Sequence, residues 1–82
     1  MNTAEAGDLL ERLLHGIAPE IDLADADPRA PLQESFDLDS MDFLNLVTAL
    51  QGETGIEVSE RDYPRIASVE GFVTYVAAAS QT

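Results

Sequence analysis

Apolar residues recur along this chain at helical spacing, and no stretch reads as a convincing strand. Leu9, Leu10, Leu13, Leu14 and Ile17 follow the i, i+3, i+4 rule, which predicts a helix over about Thr3 to His15. Asn2 with Glu5 three positions on reads as a capping box at its start, and Gly16 with Pro19 supply the stop. A second long helix is predicted from Ser40 to Glu53 or Thr54, with Asp39 as its cap and Gly55 at its end. Phe43, Leu46, Val47 and Leu50 form its core face, and Met41, Leu44 and Thr48 make a second, adjacent stripe. The last helix opens after Ser68 and turns Val69, Phe72, Val73 and Val76 inward, with Tyr75 near its edge.

Between the first two helices runs "IAPEIDLADADPRAPLQESFDLD", with Pro28 and Pro31 making "DPRAP" a poor helix. Structureless connections beyond about 12–15 residues are uncommon in small domains unless anchored. Ile21, Leu23, Leu32, Phe36 and Leu38 are its anchors, and a short turn is expected near Leu32 to Ser35. A further short turn is expected at "SERDY", capped by Ser59, and the tail from about residue 77 to 82 is expected to fray. The expectation is thus all-α: a single domain, residues 1–82, built as a small antiparallel bundle of three longer helices and one short one. The long loop lies between the first two long helices.

Charge narrows the partners. Sixteen acidic residues face four arginines, Arg12, Arg29, Arg61 and Arg65, giving a formal net charge of −12. Such a surface repels nucleic acid and anionic lipid and speeds encounter with basic protein patches, although acidity also simply keeps a domain soluble. Asp22, Asp25, Asp27, Glu34, Asp37, Asp39 and Asp42 crowd one another, so salt and divalent cations are expected to stabilise the fold. The chain has no cysteine, hence no disulfide, no thiolate nucleophile and no cysteine metal site. No apolar run reaches the roughly 18–20 residues that span a bilayer, and the N-terminus lacks signal-peptide character, so a cytoplasmic location is expected.

The chemistry that remains concentrates in "SFDLDSMDFLNLV". An EF-hand reading starting at Asp37 fails at the fifth, sixth and twelfth positions, which hold Met41, Asp42 and Thr48, and no metal site is expected. His15 closes the first helix, where the dipole favours its charged form, and is expected to be structural. No hydrolase triad and no Gly-rich phosphate loop are present. Ser40 is different. It sits at the first position of a helix, where unpaired N–H groups and a partial positive charge favour a phosphate ester. No base stands beside it in sequence to make it a nucleophile, so it reads as a modification site. Asp39 and Asp42 compensate the dipole and can also meet a basic partner enzyme.

"LDSMDFLNLVTAL" resembles the acyl carrier protein motif, in which Asp-Ser-Leu or Asp-Ser-Met opens the second helix. The loop anchors, the "IEVSERDY" turn and "ASVEGFVTYV" fall at that family's spacing. The resemblance implies that Ser40 carries 4′-phosphopantetheine, donated from coenzyme A by a phosphopantetheinyl transferase. The arm would hold acyl groups as thioesters and make the domain a non-catalytic, monomeric shuttle. The enzymes it serves would belong to a fatty acid, polyketide or related pathway, with an acyl-loading ligase or acyltransferase and synthases bearing basic patches as partners. It implies partner contacts at Asp39, Met41, Asp42 and Leu44, although Met41 and Leu44 can also be read as core. It further implies an acyl pocket lined by Phe43, Leu46, Leu50, Tyr63 and Phe72. Three departures stand out. Asp37 occupies a position where the family often has glycine. Asn45 and Gln51 stand where carboxylates are common. Bulky Phe43, Tyr63 and Phe72 suggest a small or closed tunnel and short or polar cargo. A peptidyl or aminoacyl carrier uses the same arm and fold. An unmodified acidic adaptor for a basic protein is the rival from another class, and a small enzyme is disfavoured by the missing nucleophile–base pair.

Overall fold

Helix α1 spans Thr3–His15 and begins as its sequence dictates. Asn2 Oδ1 accepts from the Glu5 backbone N–H at 2.8 Å, and Glu5 Oε1 accepts from the Asn2 N–H at 2.9 Å. The box satisfies two donors that a helix start leaves open. At the other end Gly16 has φ −70°, so its freedom to turn left-handed is not used. The coil instead tightens through one more turn, in which Ala18 N–H donates to the Leu14 carbonyl at 2.8 Å. His15 is a tether: its Nε2 lies 2.6 Å from the Ile21 carbonyl, which can only accept, so this nitrogen carries the proton.

The computed structural model describes residues 1–80. In it the long connection is pinned rather than loose. Ile21, Leu32 and Leu38 are buried, and Leu23 and Phe36 pack half-buried against them. A short 3₁₀ turn, Leu23–Asp25, is capped by Asp22, and a single α-turn, α2, covers Leu32–Ser35. The stretch before α2 is clipped to the start of the last helix by backbone bonds. Leu32 N–H donates to the Ala67 carbonyl at 2.7 Å, and Glu70 N–H to the Pro28 carbonyl at 2.8 Å. An isolated antiparallel bridge joins Pro31 and Ser68 between them. Helix α2 ends in a left-handed residue, Asp37 at φ +54°, across which Leu38 N–H donates to the Gln33 carbonyl at 2.9 Å. That bond is the outer one of a Schellman closure, whose left-handed position usually belongs to glycine.

Helix α3 covers Ser40–Thr54 and buries Phe43, Leu46, Val47 and Leu50; Gly55, at φ +76°, turns the chain out of it. The expected "SERDY" turn is longer than its sequence signalled: a seven-residue 3₁₀ helix, Glu60–Ile66, with Pro64 inside it. Ser59 stands at its start, but its hydroxyl donates to Asp62 Oδ2 at 3.3 Å instead of capping a backbone N–H. Helix α4 spans Val69–Ala79, and Ser68 Oγ accepts from Gly71 N–H at 3.0 Å. The tail expected to fray begins within α4. Ala77 is buried, α4 runs to Ala79, and Ser80 N–H still bonds the Val76 carbonyl at 3.0 Å. Gln81 and Thr82, the rest of that expected tail, lie outside the described residues.

Met1 borders one surface hollow with Glu53, Thr54, Ala79 and Ser80, so the start of α1 lies beside the ends of α3 and α4. Helix α1 is therefore antiparallel to both, and the bundle closes around Leu10, Leu14, Leu32, Leu46, Leu50, Ile66, Phe72 and Val76, all fully buried. The fold is all-α, with no strand among the described residues.

Candidate functional site

The start of α3 is set by what precedes it. Buried Leu38 fixes the chain on the core, and Asp39 follows in extended conformation at ψ −179°. Asp39 Oδ1 accepts from the Asp42 N–H at 2.8 Å, and Asp42 Oδ2 accepts from the Asp39 N–H at 3.2 Å. This is a reciprocal capping box with aspartate where Glu or Gln is usual. The sequence reading gave both aspartates a capping and dipole-compensating role but not this reciprocal bonding. One oxygen of each carboxylate stays outside the box.

Ser40, next in line, is therefore relieved of capping duty. It is exposed, and its hydroxyl makes no hydrogen bond among the described residues. Ser59, Ser68 and Ser80 all spend their hydroxyls internally. Ser35 does not, but it closes the single turn α2, where outward carbonyls disfavour an anion. Among the serines of the described residues, Ser40 alone combines a free hydroxyl with the N-terminus of a long helix.

Around Ser40 the surface is apolar inside an acidic frame. Met41 and Leu44 are 64% and 41% exposed, so the second stripe of α3 is left on the surface. Beside them a groove of about 380 Å³ opens between α3 and the 3₁₀ helix. Ser40, Phe43 and Leu44 form one wall, Glu60, Tyr63 and Pro64 the other, with Gln33 and Ala67 completing it. The Phe43 and Tyr63 rings meet edge to face, their centroids 5.6 Å apart. Of the residues expected to line an acyl pocket, Phe43 and Tyr63 border this groove. Leu46, Leu50 and Phe72 do not; they are at 0% exposure in the core. Gln33, Glu60, Pro64 and Ala67 were not anticipated. Their one signal was the i, i+3, i+4, i+7 spacing of Glu60, Tyr63, Pro64 and Ala67, which Pro64 disguises.

No histidine, lysine or arginine lines the groove; its ionisable groups are Glu60 and Tyr63, on the wall across from Ser40. Among the described residues no three His, Cys, Asp or Glu side chains converge as a metal site, and no helix is long and apolar enough to cross a membrane. The arrangement suits a hydroxyl esterified by an enzyme from outside. An exposed, unbonded oxygen at a positive helix end favours a phosphate, and an apolar groove begins at the same residue. The family described as "Phosphopantetheine attachment site" matches residues 8–76, from within α1 to Val76 of α4.

Proposed function

The chain belongs to the phosphopantetheine attachment-site family, whose defining group is covalently attached 4′-phosphopantetheine, and from this we propose an acyl carrier whose attachment residue is Ser40. The observation that carries the assignment is the unemployed Ser40 hydroxyl at the first position of α3, with the cap supplied by Asp39. When bound, the group brings the terminal thiol that this cysteine-free chain lacks, and holds an acyl chain there as a thioester. The cargo is passed among enzymes of a fatty acid, polyketide or related route, and tethering replaces free diffusion by a high effective concentration.

The chain's own residues do the positioning. The Asp39–Asp42 box keeps the first turn of α3 rigid, so the ester is presented at one place. Met41 and Leu44 offer an apolar contact to a partner, and the outer oxygens of Asp39 and Asp42 offer it charge. Enzymes with basic patches fit this surface: the transferase, a loading ligase or acyltransferase, and the synthases. A net charge of −12 steers them in at low salt.

The test is intact mass after incubation with coenzyme A and a phosphopantetheinyl transferase. The wild-type chain gains one phosphopantetheine, Ser40→Ala gains none while keeping its helical spectrum, and Ser35→Ala gains as wild type does. A wild-type chain that stays bare under a panel of transferases would leave the acidic-adaptor reading in its place.

A further inference from the structure

Glu60, Tyr63 and Pro64 of the 3₁₀ helix border the Ser40 groove, and Arg65 borders a second hollow that shares no lining residue with it. This second hollow, of about 460 Å³, adjoins one of about 330 Å³ through Arg65, Thr74 and Tyr75. Together they make one trough along the outer face of α4. Gly71, Thr74, Ala78 and Ala79 are its small lining residues, and Arg29 and Arg65 line it as well.

Charge on this face departs from that of the chain. Sixteen carboxylates against four arginines make the molecule strongly acidic. Yet α4 carries a single carboxylate, Glu70, and two of the four arginines meet in the trough. Neither arginine is used up by the fold. Arg29 hydrogen-bonds Glu70 through Nε alone, at 3.3 Å, so its two terminal nitrogens make no hydrogen bond among the described residues. Arg65 pairs with Asp62 at 3.8 Å, beyond hydrogen-bond reach, and its guanidinium lies 5.0 Å from the Tyr75 ring centroid. Tyr75 is itself fixed by its bond to Asp62 at 3.2 Å. A guanidinium oriented on an aromatic ring keeps its fork of donors for an incoming carboxylate and loses less freedom in binding it.

We propose that this trough is a docking surface for an acidic segment of a partner protein, whose carboxylates are taken by Arg29 and Arg65 while its backbone lies along the small residues of α4. The eleven residues of α4 rise about 16 Å, room for about five residues of extended chain. Arginine holds a carboxylate by two parallel hydrogen bonds, which fixes the register of the segment. The sign of the partner follows from charge complementarity: a basic segment meets two like charges here and finds carboxylates over most of the remaining surface. Because the trough is separate from the Ser40 groove, a partner held on α4 leaves Ser40 uncovered. The proposal does not depend on the reading of Ser40 as the attachment residue.

A library of short random peptides, depleted on the double variant Arg29→Gln/Arg65→Gln and then selected on the wild-type chain, tests it. The enriched peptides should carry net negative charge. Titrated into the wild-type chain, they should shift the amide resonances of Gly71, Thr74, Tyr75 and Ala78 and leave those of Met41 and Leu44 in place. The double variant should bind them about tenfold or more weakly, since hydrogen bonds between charged groups are lost. Thr74→Trp keeps both arginines and fills the trough from an exposed position, and it should weaken binding as much. Circular dichroism checks that both variants keep their helices. Enrichment of basic or neutral peptides would overturn the proposal, as would no enrichment at all. So would acidic peptides whose shifts fall in the Ser40 groove, or whose affinity Thr74→Trp leaves unchanged. A wild-type chain that no transferase modifies removes the Ser40 reading and leaves each of these outcomes as it stands.

Discussion

Tyr75 Oη donates a hydrogen bond to Asp62 Oδ2 at 3.2 Å and so joins α4 to the 3₁₀ helix that walls the Ser40 groove. Asp62 also accepts from Ser59 and pairs with Arg65 at 3.8 Å, and the Arg65 guanidinium lies 5.0 Å from the Tyr75 ring centroid. Burial, then the Asp62 charge and its hydrogen bond, hold the Tyr75 phenol above its ordinary value, with Arg65 pulling the other way. The protonated form is the one the fold favours. Its contribution to stability is therefore complete below the phenol's ordinary pKa and is lost as pH rises through the raised, folded value. The difference between wild type and Tyr75→Phe in phenolate absorbance should titrate above pH 10. At neutral pH Tyr75→Phe should cost about 0.5–1.5 kcal/mol in denaturant unfolding. A titration at or below the ordinary phenol value would break the account.

Two glycines should respond in opposite directions. A Cβ at Gly71 would lie 2.1 Å from the Arg65 carbonyl oxygen and 3.1 Å from its carbon, backbone atoms with no rotamer to yield. Gly71→Ala should destabilise by about 1–3 kcal/mol, seen as a lowered melting temperature, because α4 must move off the end of the 3₁₀ helix. Gly52 lies within α3 with nothing inside 4 Å of its would-be Cβ. Gly52→Ala should stabilise by about 0.5–1 kcal/mol through helix propensity. If both variants melted alike, the close approach at Gly71 would be refuted.

Cargo should report on the groove. Phe43 and Tyr63 sit edge to face along it, while Leu46, Leu50 and Phe72 are fully buried. On the proposed function, a short acyl chain loaded through Ser40 should shift the amide resonances of Gln33, Phe43, Leu44, Tyr63 and Ala67. It should leave those of Leu46, Leu50 and Phe72 unmoved. Lengthening the chain should change little beyond the groove. Large, length-dependent shifts at Leu50 and Phe72 would mean that the core opens and that cargo is not restricted to short or polar groups.

The two long helices α1 and α3 were legible because their burial is periodic and their caps are local chemistry: Asn2 with Glu5, Asp39, Gly55. The place of Ser40 at the first position of α3 was legible for the same reason, since a helix start is visible in sequence. What stayed hidden lives in backbone geometry. The clip from Pro28 and Leu32 to Ala67 and Glu70 consists of main-chain bonds that no side-chain pattern announces. The left-handed turn at Asp37 is a dihedral, and aspartate there does not advertise it as glycine would. Of the groove's second wall only Tyr63 was anticipated, because "SERDY" signals a short turn rather than the seven-residue 3₁₀ segment that carries Glu60 and Pro64. Ala77 read as fraying tail because alanine carries little signal either way, yet it is buried within α4.

Salt should stabilise this domain, and the sign follows from counting charges by kind. Screening weakens attraction and repulsion alike. On the attractive side stand Arg12–Glu53 at 3.1 Å, Arg29–Glu70 at 3.3 Å and Arg65–Asp62 at 3.8 Å, all with exposed arginines. Exposed pairs of this sort are worth about 0–1 kcal/mol each. On the repulsive side stand sixteen carboxylates against four arginines. Several of them, Asp22, Asp25, Asp27, Glu34, Asp37 and Asp39, fall in the pinned connection that leads into α3, and Asp42 lies in its first turn. Repulsion outnumbers attraction, so raising sodium chloride from low to moderate concentration should raise the melting temperature. For a domain of this size, a relief of about 1 kcal/mol corresponds to roughly 4–8 °C. Asp25→Asn, which removes a carboxylate with no internal hydrogen bond, should reproduce part of the gain at low salt and reduce the further gain from added salt. A melting temperature that stays flat or falls with salt would show that the ion pairs, not the crowded carboxylates, dominate the surface electrostatics.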